Sequence, residues 1–388
     1  MDFGDSEPEA AFRAEIRAWI AGAVARLPEV EPIELDARLA YFRAWQRDVH
    51  GAGYAGLSWS RDYGGRGASV IERVIWAEEA DRAGAPDPLN SIGEGFAGPT
   101  IIEFGTEEQK QRFLPPILRG DEIWCQLFSE PEAGSDLAGL RTVAERVPGG
   151  WEITGQKVWT SRAQLAHHAI LLARTGPDRH RGITYFLLPM EQPGVVVRPL
   201  RQITGEDEFN ETFLERAFVP DANRLGDVDG GWPIALATLQ FERATIALGR
   251  INVQRWVDEL IELVRAGGPA GPGGDPVVRQ RVADIHTRAT VHRLTALRAI
   301  TRMAQGGTPG PESSVGKLFM TPLLVDLCEL ALEIQGIAGR YADDGGDMNA
   351  PTRWARRALW VRGMALAGGT PQIQRNIVAQ RVLGLPRS

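Results

Sequence analysis

Cysteine and histidine are both scarce in this sequence of 388 residues. The two cysteines, Cys125 and Cys328, lie far apart in apolar runs, which argues against a disulfide framework and favours buried thiols acting as small hydrophobic groups. Among the six histidines, His167 and His168 are adjacent, so their side chains point in different directions, and no His-Glu-x-x-His spacing occurs. The sequence therefore predicts no disulfide framework and no metal site.

Long apolar runs and a surplus of positive charge are also missing. No uninterrupted apolar run approaches the ~20 residues that a membrane helix requires, and the N-terminus is acidic where a signal or transit peptide would be basic. The formal net charge of −7 argues against nucleic-acid binding. Lysine occurs only at Lys110, Lys157 and Lys317, against abundant arginine, which favours a GC-rich bacterial source. We expect a cytoplasmic protein that binds neither membranes nor nucleic acids.

The composition is otherwise that of a globular protein, and it changes twice along the chain. Residues 1–120 show helical periodicity broken by Gly/Pro turns, and Thr106 is suited to start a helix that runs to residue 119. Residues 121–230 contain short segments rich in Val, Ile, Thr and aromatic residues, which predict an antiparallel β-barrel or sandwich. Residues 231–388 are helical again and predict a four-helix-type bundle. The predicted fold is a multidomain α+β protein with these three domains.

Two segments of the predicted β domain carry polar groups at strand ends. Residues 128–136, Phe-Ser-Glu-Pro-Glu-Ala-Gly-Ser-Asp, combine hydroxyls, a glycine and closely spaced backbone amides, which suits recognition of a flat polar ring or of phosphate oxygens. A structural turn is the commoner use of such a segment. Residues 155–161, Gly-Gln-Lys-Val-Trp-Thr-Ser, place a tryptophan before two hydroxyls, and a tryptophan there usually belongs to the core. Each segment alone is a weak indication of a binding site.

The order of the motifs along the whole chain resembles the acyl-CoA dehydrogenase family. A helical region precedes the two polar segments, strands and a helical bundle follow, and residues 368–375 read Gly-Gly-Thr-Pro-Gln-Ile-Gln-Arg. The resemblance also covers residues 59–67 and 104–116, and it extends over essentially the entire chain. It implies the acyl-CoA dehydrogenase fold and an FAD-dependent enzyme that converts an acyl-CoA thioester to the trans-2-enoyl-CoA.

The resemblance also assigns residues to the cofactor. Ser129 would hydrogen-bond the pyrimidine edge of the flavin, Trp159 would lie along the ring, and Ser161 would contact it near N5. Ser135 would face the acyl-CoA as well. The full set of expected cofactor residues is Gln126, Phe128, Ser129, Ser135, Trp159, Thr160, Ser161, Thr370 and Gln372.

The reaction also needs a base, because the α-proton of a thioester is only weakly acidic and a carboxylate in an apolar site abstracts it best. Medium-chain members of the family carry this Glu at the position of Gly368. Isovaleryl-CoA and long-chain members carry it in a Glu-Arg pair early in the first helix of the C-terminal domain, where Glu242 and Arg243 stand. The resemblance implies that Glu242 is the base, that Arg243 holds the substrate region, and that the Gly368 amide binds the thioester carbonyl. The ordinary alternatives are an exposed helix carboxylate and a surface ion pair.

The sequence departs from homotetrameric members of the family at two elements that reach the FAD of a neighbouring subunit. It has no Phe-Gly-Arg stretch before the second bundle helix, and residues 333–337 read Glu-Ile-Gln-Gly-Ile where those members have Gln-x-x-Gly-Gly. Because FAD pyrophosphate is anionic, both changes should weaken that half of the site. The pattern resembles bacterial members that act on steroid side-chain thioesters as α2β2 heterotetramers. A homotetramer is the alternative.

The partners that the resemblance implies are an acyl-CoA substrate and an electron-transfer flavoprotein as acceptor. Two other functions stay open, namely a flavin oxidase or monooxygenase on the same fold and a non-catalytic subunit of a heteromeric enzyme. The base and Ser135 favour the dehydrogenase over the oxidase. Straight-chain, branched and steroid thioesters are all compatible with the sequence.

Overall fold

The computed structural model describes residues 4–28, 32, 35–247, 253–268, 271–306, 310, 312–337 and 353–386. The chain divides into two compact units, which we call the sheet unit and the bundle unit. The sheet unit contains Phe42–Ala68 and Asp87–Glu242; the bundle unit contains Met1–Tyr41, Ser69–Pro86 and Arg243–Ser388. Among the described residues, no helix is long and apolar enough to cross a membrane.

The first third of the chain is helical, as predicted. Its helices are α1 (Glu7–Val24), α2 (Leu35–Gly51), α3 (Val70–Arg82), α4 (Gly98–Phe104) and α5 (Glu107–Arg119). The predicted start at Thr106 is confirmed, because the Thr106 hydroxyl accepts a hydrogen bond from the backbone amide of Gln109 at 3.3 Å. The Gln109 side chain accepts one in return from the Thr106 amide at 3.0 Å, which completes a capping box. Helix α5 ends at Gly120, whose φ of 71° lies in the left-handed region.

The central region forms one eight-stranded sheet. Its strands are β1 (Trp124–Leu127), β2 (Val143–Val147), β3 (Gly150–Ser161), β4 (His168–Arg174), β5 (Ile183–Pro189), β6 (Val195–Leu200), β7 (Phe209–Pro220) and β8 (Arg224–Leu225). The strand order is β6-β7-β3-β2-β4-β5-β8, with β1 paired to β4. The β-rich character predicted for this region is confirmed, and most neighbouring strands are antiparallel. The predicted boundaries of three domains stay a prediction. The structure adds parallel pairings of β1 and β2 with β4. At least one other strand lies between the two members of each pair in the chain, so neither parallel pair has to be joined by a tight hairpin.

Strands β3 and β7 form the longest ladder, and its irregularities shape the candidate site. Their antiparallel register runs from Gly150 opposite Pro220 to Ser161 opposite Phe209. The register shifts once between Ile153 and Gly155 and again between Lys157 and Thr160. A bulge of this kind redirects side chains locally. The rest of the sheet packs around a core that includes Leu171, Phe186 and Leu188, all fully buried.

The C-terminal region is helical, which confirms the predicted bundle. Helix α6 (Gly231–Ala247) leads into α7 (Val253–Ala266), α8 (Pro276–Ala304), α9 (Glu312–Gln335), α10 (Arg353–Met364) and α11 (Pro371–Ile377). The core of the bundle unit includes Val257, Leu260, Leu324 and Val361 from three of these helices. Cys125 in the sheet unit and Cys328 in α9 are both free and buried, as predicted.

Candidate active site

The end of β1 and the end of β3 lie side by side, so the two polar segments found in the sequence come together. The backbone amide of Val158 donates a hydrogen bond to the carbonyl oxygen of Ser129 at 2.9 Å. Gln126 and Ser129 are half-buried, whereas the Phe128 side chain is buried and Ser135 is exposed. Ser129 therefore lies just beyond the end of β1 with part of its surface accessible, rather than inside the core.

Trp159 is exposed in spite of its size. Its side chain is 63% exposed, and its backbone has a φ of 61°, which lies in the left-handed region that residues other than glycine rarely adopt. The indole makes an edge-on contact with Phe209, with ring centroids 6.2 Å apart. Arg162 has a φ of 56°, so the half-buried Ser161 lies between two strained residues. Such strain is typical of functional sites, where the surrounding structure maintains it.

Thr160 differs from its neighbours because its side chain is buried, with only 1% exposed. Its hydroxyl has no hydrogen-bond partner among the described residues. The Thr160 carbonyl oxygen accepts a hydrogen bond from the Asn210 side chain at 3.1 Å. Thr160 thus anchors β3 to β7, and its expected contact with a cofactor stays a prediction.

A buried ion pair, which the sequence did not reveal, connects these two segments. The Lys157 ammonium is fully buried and donates to the Glu130 carboxylate at 2.8 Å. Burial lowers the pKa of Lys157 to about 8, although the Glu130 carboxylate counteracts this. Burial alone would raise the pKa of Glu130, but the charge of Lys157 and the hydrogen bonds to the carboxylate lower it. The pair is therefore ionised at neutral pH.

A chain of buried contacts leads from Phe128 to helix α6. The Phe128 ring packs edge-on against Tyr185, with centroids 5.9 Å apart. The Tyr185 hydroxyl lies 3.1 Å from the hydroxyl of Thr238, which lies 3.0 Å from the hydroxyl of Thr100 in α4. Tyr185, Thr238 and Thr100 are all completely buried. These hydroxyls join β5, α4 and α6.

Glu242 lies one helical turn beyond Thr238. The buried stripe of α6 consists of Ile234, Ala235 and Thr238, and positions four and seven residues further on continue the same face. Glu242 is four residues after Thr238 and seven after Ala235. Its side chain is half-buried, in contrast to the exposed residues on the other side of α6 such as Leu236. An ordinary solvent-facing carboxylate would lie outside this stripe. Arg243 follows it in the helix, but its side chain lies outside the described residues.

The remaining predicted residues lie in the bundle unit. Gly368 and Gly369 have φ values of 63° and 98°, which glycine adopts most readily. Thr370 caps α11, because its hydroxyl accepts a hydrogen bond from the Ile373 amide at 3.3 Å. The buried Gln374 side chain donates to the Gly368 carbonyl oxygen at 2.9 Å, and Gln372 is exposed. The turn before α11 is therefore held in one conformation.

Comparisons with known proteins identify the family of this chain. Sequence models of the acyl-CoA dehydrogenase N-terminal, middle and C-terminal domains match residues 6–121, 125–216 and 229–383. The acyl-CoA dehydrogenase IpdE1 of Mycolicibacterium smegmatis is 42% identical over 398 residues, which cover 97% of each chain. This chain belongs to the acyl-CoA dehydrogenase family.

Solved structures of the family are similar over the full length of this acyl-CoA dehydrogenase. The Tcur3481-Tcur3483 steroid ACAD matches with a TM-score of 0.86 and 28% identity, covering 100% of both chains. The ChsE4-ChsE5 complex from Mycobacterium tuberculosis matches with a TM-score of 0.84 and 29% identity, again over 100% of both chains. The resemblance and the fold class that the sequence predicted are both confirmed.

Acyl-CoA dehydrogenases are oxidoreductases that bind FAD, and this chain is one of them by membership of the family. The sheet unit fits such a group, because an exposed indole and two half-buried hydroxyls lie at adjacent strand ends. Trp159 offers an aromatic face, and Ser129 and Ser161 offer hydrogen bonds to the edge of a flat ring. Strain at Trp159 turns the indole out of the core, where a tryptophan is normally found.

Glu333, at the position where homotetrameric members have Gln, is engaged within the bundle unit of this acyl-CoA dehydrogenase. Its carboxylate accepts hydrogen bonds from the Arg281 guanidinium of α8. The half-exposed Arg281 is thus paired with a negative charge of its own chain. An anion approaching this end of α8 and α9 would meet an arginine whose charge is already compensated.

Proposed function

We propose that this enzyme removes a proton from Cα and a hydride from Cβ of an acyl-CoA thioester, with Glu242 as the base. The observation that carries the proposal is the position of Glu242 on the buried stripe of α6, one turn beyond the hydroxyl contacts that lead to Phe128. The Glu242 carboxylate takes the Cα proton as the Cα–Cβ double bond forms. Bound FAD supplies the acceptor for the hydride. Ser129, Trp159 and Ser161 would hold its ring.

The proposed role of Glu242 is tested by Glu242→Gln, which keeps the size of the side chain but cannot accept the proton. We expect FAD content to stay as in the wild type, while bleaching of the flavin by acyl-CoA becomes at least ~100-fold slower. Glu262→Gln is the matched control, because Glu262 is an exposed helix carboxylate paired with Arg265. Bleaching of Glu242→Gln at the rate of this control would exclude Glu242 as the base.

The proposed substrate class is a thioester with a bulky polycyclic acyl group, as on a steroid side chain. The support is the similarity to a structure described as a steroid ACAD, at 28% identity over the whole chain. At substrate concentrations well below saturation, flavin bleaching followed by stopped flow should be faster with a steroid side-chain CoA thioester than with octanoyl-CoA. A clear preference for octanoyl-CoA would assign the enzyme to fatty acyl substrates instead.

The proposed assembly is an α2β2 heterotetramer in which this chain is the subunit that carries the base. Glu333 and its contact with Arg281 support it, as does the similarity to the ChsE4-ChsE5 complex. Light scattering and flavin quantitation on the protein purified alone test the assembly. A homotetramer with one FAD per chain and full activity would refute it.

We also propose that an electron-transfer flavoprotein reoxidises the enzyme, as the family membership suggests. Turnover with acyl-CoA should then depend on added electron-transfer flavoprotein and proceed slowly with oxygen alone. Rapid reoxidation by oxygen would favour the flavin oxidase. The roles of Arg243, Gly368, Thr370 and Gln372 stay predictions.

A further inference from the structure

The Lys157 ammonium satisfies three acceptors from two parts of the sheet unit, namely the segment after β1 and strand β4. It donates to the Glu130 carboxylate at 2.8 Å, to the Leu172 carbonyl oxygen on β4 at 2.8 Å, and to the Phe128 carbonyl oxygen at 3.2 Å. An ammonium has three protons, so every donor of this fully buried group is used. Lys157 thereby connects β3 with β4 and with the segment that follows β1.

The Glu130 carboxylate is equally well satisfied. One oxygen accepts from Lys157 and from the Thr142 amide at 3.0 Å, and the other accepts from the Arg141 amide at 2.6 Å. The backbone of Glu130 exchanges two hydrogen bonds of 3.1 Å with Ala133, which closes the turn before Ser135. Glu130 therefore holds both ends of the segment from residue 130 to residue 142.

The strand ladder does not itself join the two segments that face the proposed flavin. Strand β1 pairs with β4, whereas β3 pairs with β2 and β7. The bond from the Val158 amide to the Ser129 carbonyl and the bonds of Lys157 connect residues 128–130 to β3. Ser129 on one segment and Trp159 to Ser161 on the other would have to contact the same ring, so their separation matters.

A buried ion pair carries a desolvation cost that apolar side chains do not. Removing two charges from water has a large cost in free energy, and apolar side chains of similar volume often stabilise a core as well or better. The directional bonds of the pair supply what apolar packing cannot, namely a fixed distance between two backbone segments.

We propose that Lys157 and Glu130 are positioning residues for FAD, which set the separation of Ser129 from Trp159 and Ser161 so that both segments contact the flavin ring. The proposal rests on the flavin site of the proposed function. Neither side chain is expected to contact the flavin, because Lys157 is fully buried and both Glu130 oxygens are engaged. Their removal should therefore alter how the cofactor is bound before it alters the chemistry of the substrate.

The test compares Lys157→Met and Glu130→Gln with Glu79→Gln in the full-length protein. Glu79 is a matched control, since it is a buried carboxylate in the bundle unit bound by Arg13, Arg17 and Arg82 at 2.7 to 3.0 Å. Titration of the deflavinated protein with FAD, the flavin absorption spectrum and the melting temperature are measured for each variant. We expect at least a tenfold increase in the FAD dissociation constant and an altered spectrum for Lys157→Met and Glu130→Gln. Glu79→Gln should lower the melting temperature but change the dissociation constant less than twofold.

A double variant keeps the test decisive if a single unpaired charge prevents folding. Glu130→Leu with Lys157→Met removes both charges and should fold, yet FAD should still bind at least tenfold more weakly. FAD binding within twofold of the wild type and an unchanged spectrum in this variant would overturn the proposal. A wild-type protein that takes up FAD but is not reduced by any acyl-CoA would instead refute the proposed function and leave the positioning role standing.

Discussion

Replacement of Thr238 by valine tests the hydroxyl contacts that lead to the helix of Glu242. Valine has nearly the shape of threonine, so the change removes a hydroxyl without opening a cavity. Thr238 can donate its single proton to the Ile234 carbonyl oxygen at 3.0 Å, as buried helix threonines commonly do. Burial raises the pKa of Tyr185, so its phenol stays protonated and donates to Thr238. In Thr238→Val this completely buried donor loses the Thr238 oxygen as an acceptor.

The expected cost follows from that lost acceptor. A buried polar group without a partner costs about 1–3 kcal/mol, whereas removal of both partners can be nearly neutral. For a domain of roughly 150–250 residues, each kcal/mol corresponds to about 2–4 °C in melting temperature. Thr238→Val should therefore lower the melting temperature by roughly 2–12 °C. The double variant with Tyr185→Phe should recover part of this loss, because no donor is then left unsatisfied.

The assay is thermal unfolding of the FAD-loaded protein, together with the rate of flavin bleaching by acyl-CoA. Thr238→Ser keeps the hydroxyl and serves as the control. Because Glu242 is one turn away, Thr238→Val should also slow bleaching more than Thr238→Ser does. Equal melting temperatures for the two variants, or a double variant less stable than Thr238→Val, would refute the reasoning.

Three further predictions concern other parts of the molecule. Ser161→Ala should change the flavin spectrum or its reduction potential with little change in melting temperature; identical spectra and potentials would remove Ser161 from the cofactor site. Burial alone would raise the pKa of Glu79, but hydrogen bonds from Arg17 and Arg13 lower it to about 2. The carboxylate therefore contributes stability above pH ~4.5 that is lost as the pH falls towards 2, and Glu79→Gln should show a flatter acid-unfolding profile than the wild type. A methyl group on Gly98 would lie 2.0 Å from the ring of the buried Trp59. Gly98→Ala should accordingly cost about 1–3 kcal/mol, while Gly22→Ala, with open space on α1, should be neutral or stabilising.

Local signals in the sequence identified most of the secondary structure. The cap at Thr106 and the composition of the β segments depend on neighbouring residues, and both predictions are confirmed. The sequence placed residues 155–161 only at the end of a strand, yet they form the second half of β3, which runs from Gly150 to Ser161. A Cβ atom at position 155 would lie 2.4 Å from the Thr142 hydroxyl, so a close approach of another segment requires glycine there.

The buried parts of the candidate site could not be found in the same way. A lysine is almost always exposed, and the partner of Lys157 is 27 residues away at Glu130. Tyr185 and Thr238 are 53 residues apart in the sequence, and no local sequence pattern predicts the contact between them. The resemblance pointed to Ser129, Trp159 and Ser161, whereas the residues that hold their backbone emerge only from the folded chain.

The full burial of Lys157 protects its amine from amine-directed reagents while the sheet unit is folded. Lys110 in the same unit is hydrogen-bonded to Glu107 and Tyr63 but only partly buried, and Lys317 belongs to the bundle unit. Acylating dyes and lysine-directed cross-linkers would leave Lys157 unmodified as long as the sheet unit is folded. The protein would be treated with the reagent at increasing denaturant concentrations, and the fraction of Lys157 modified would be measured by mass spectrometry. That fraction would report the unfolding of the sheet unit and of no other part of the chain.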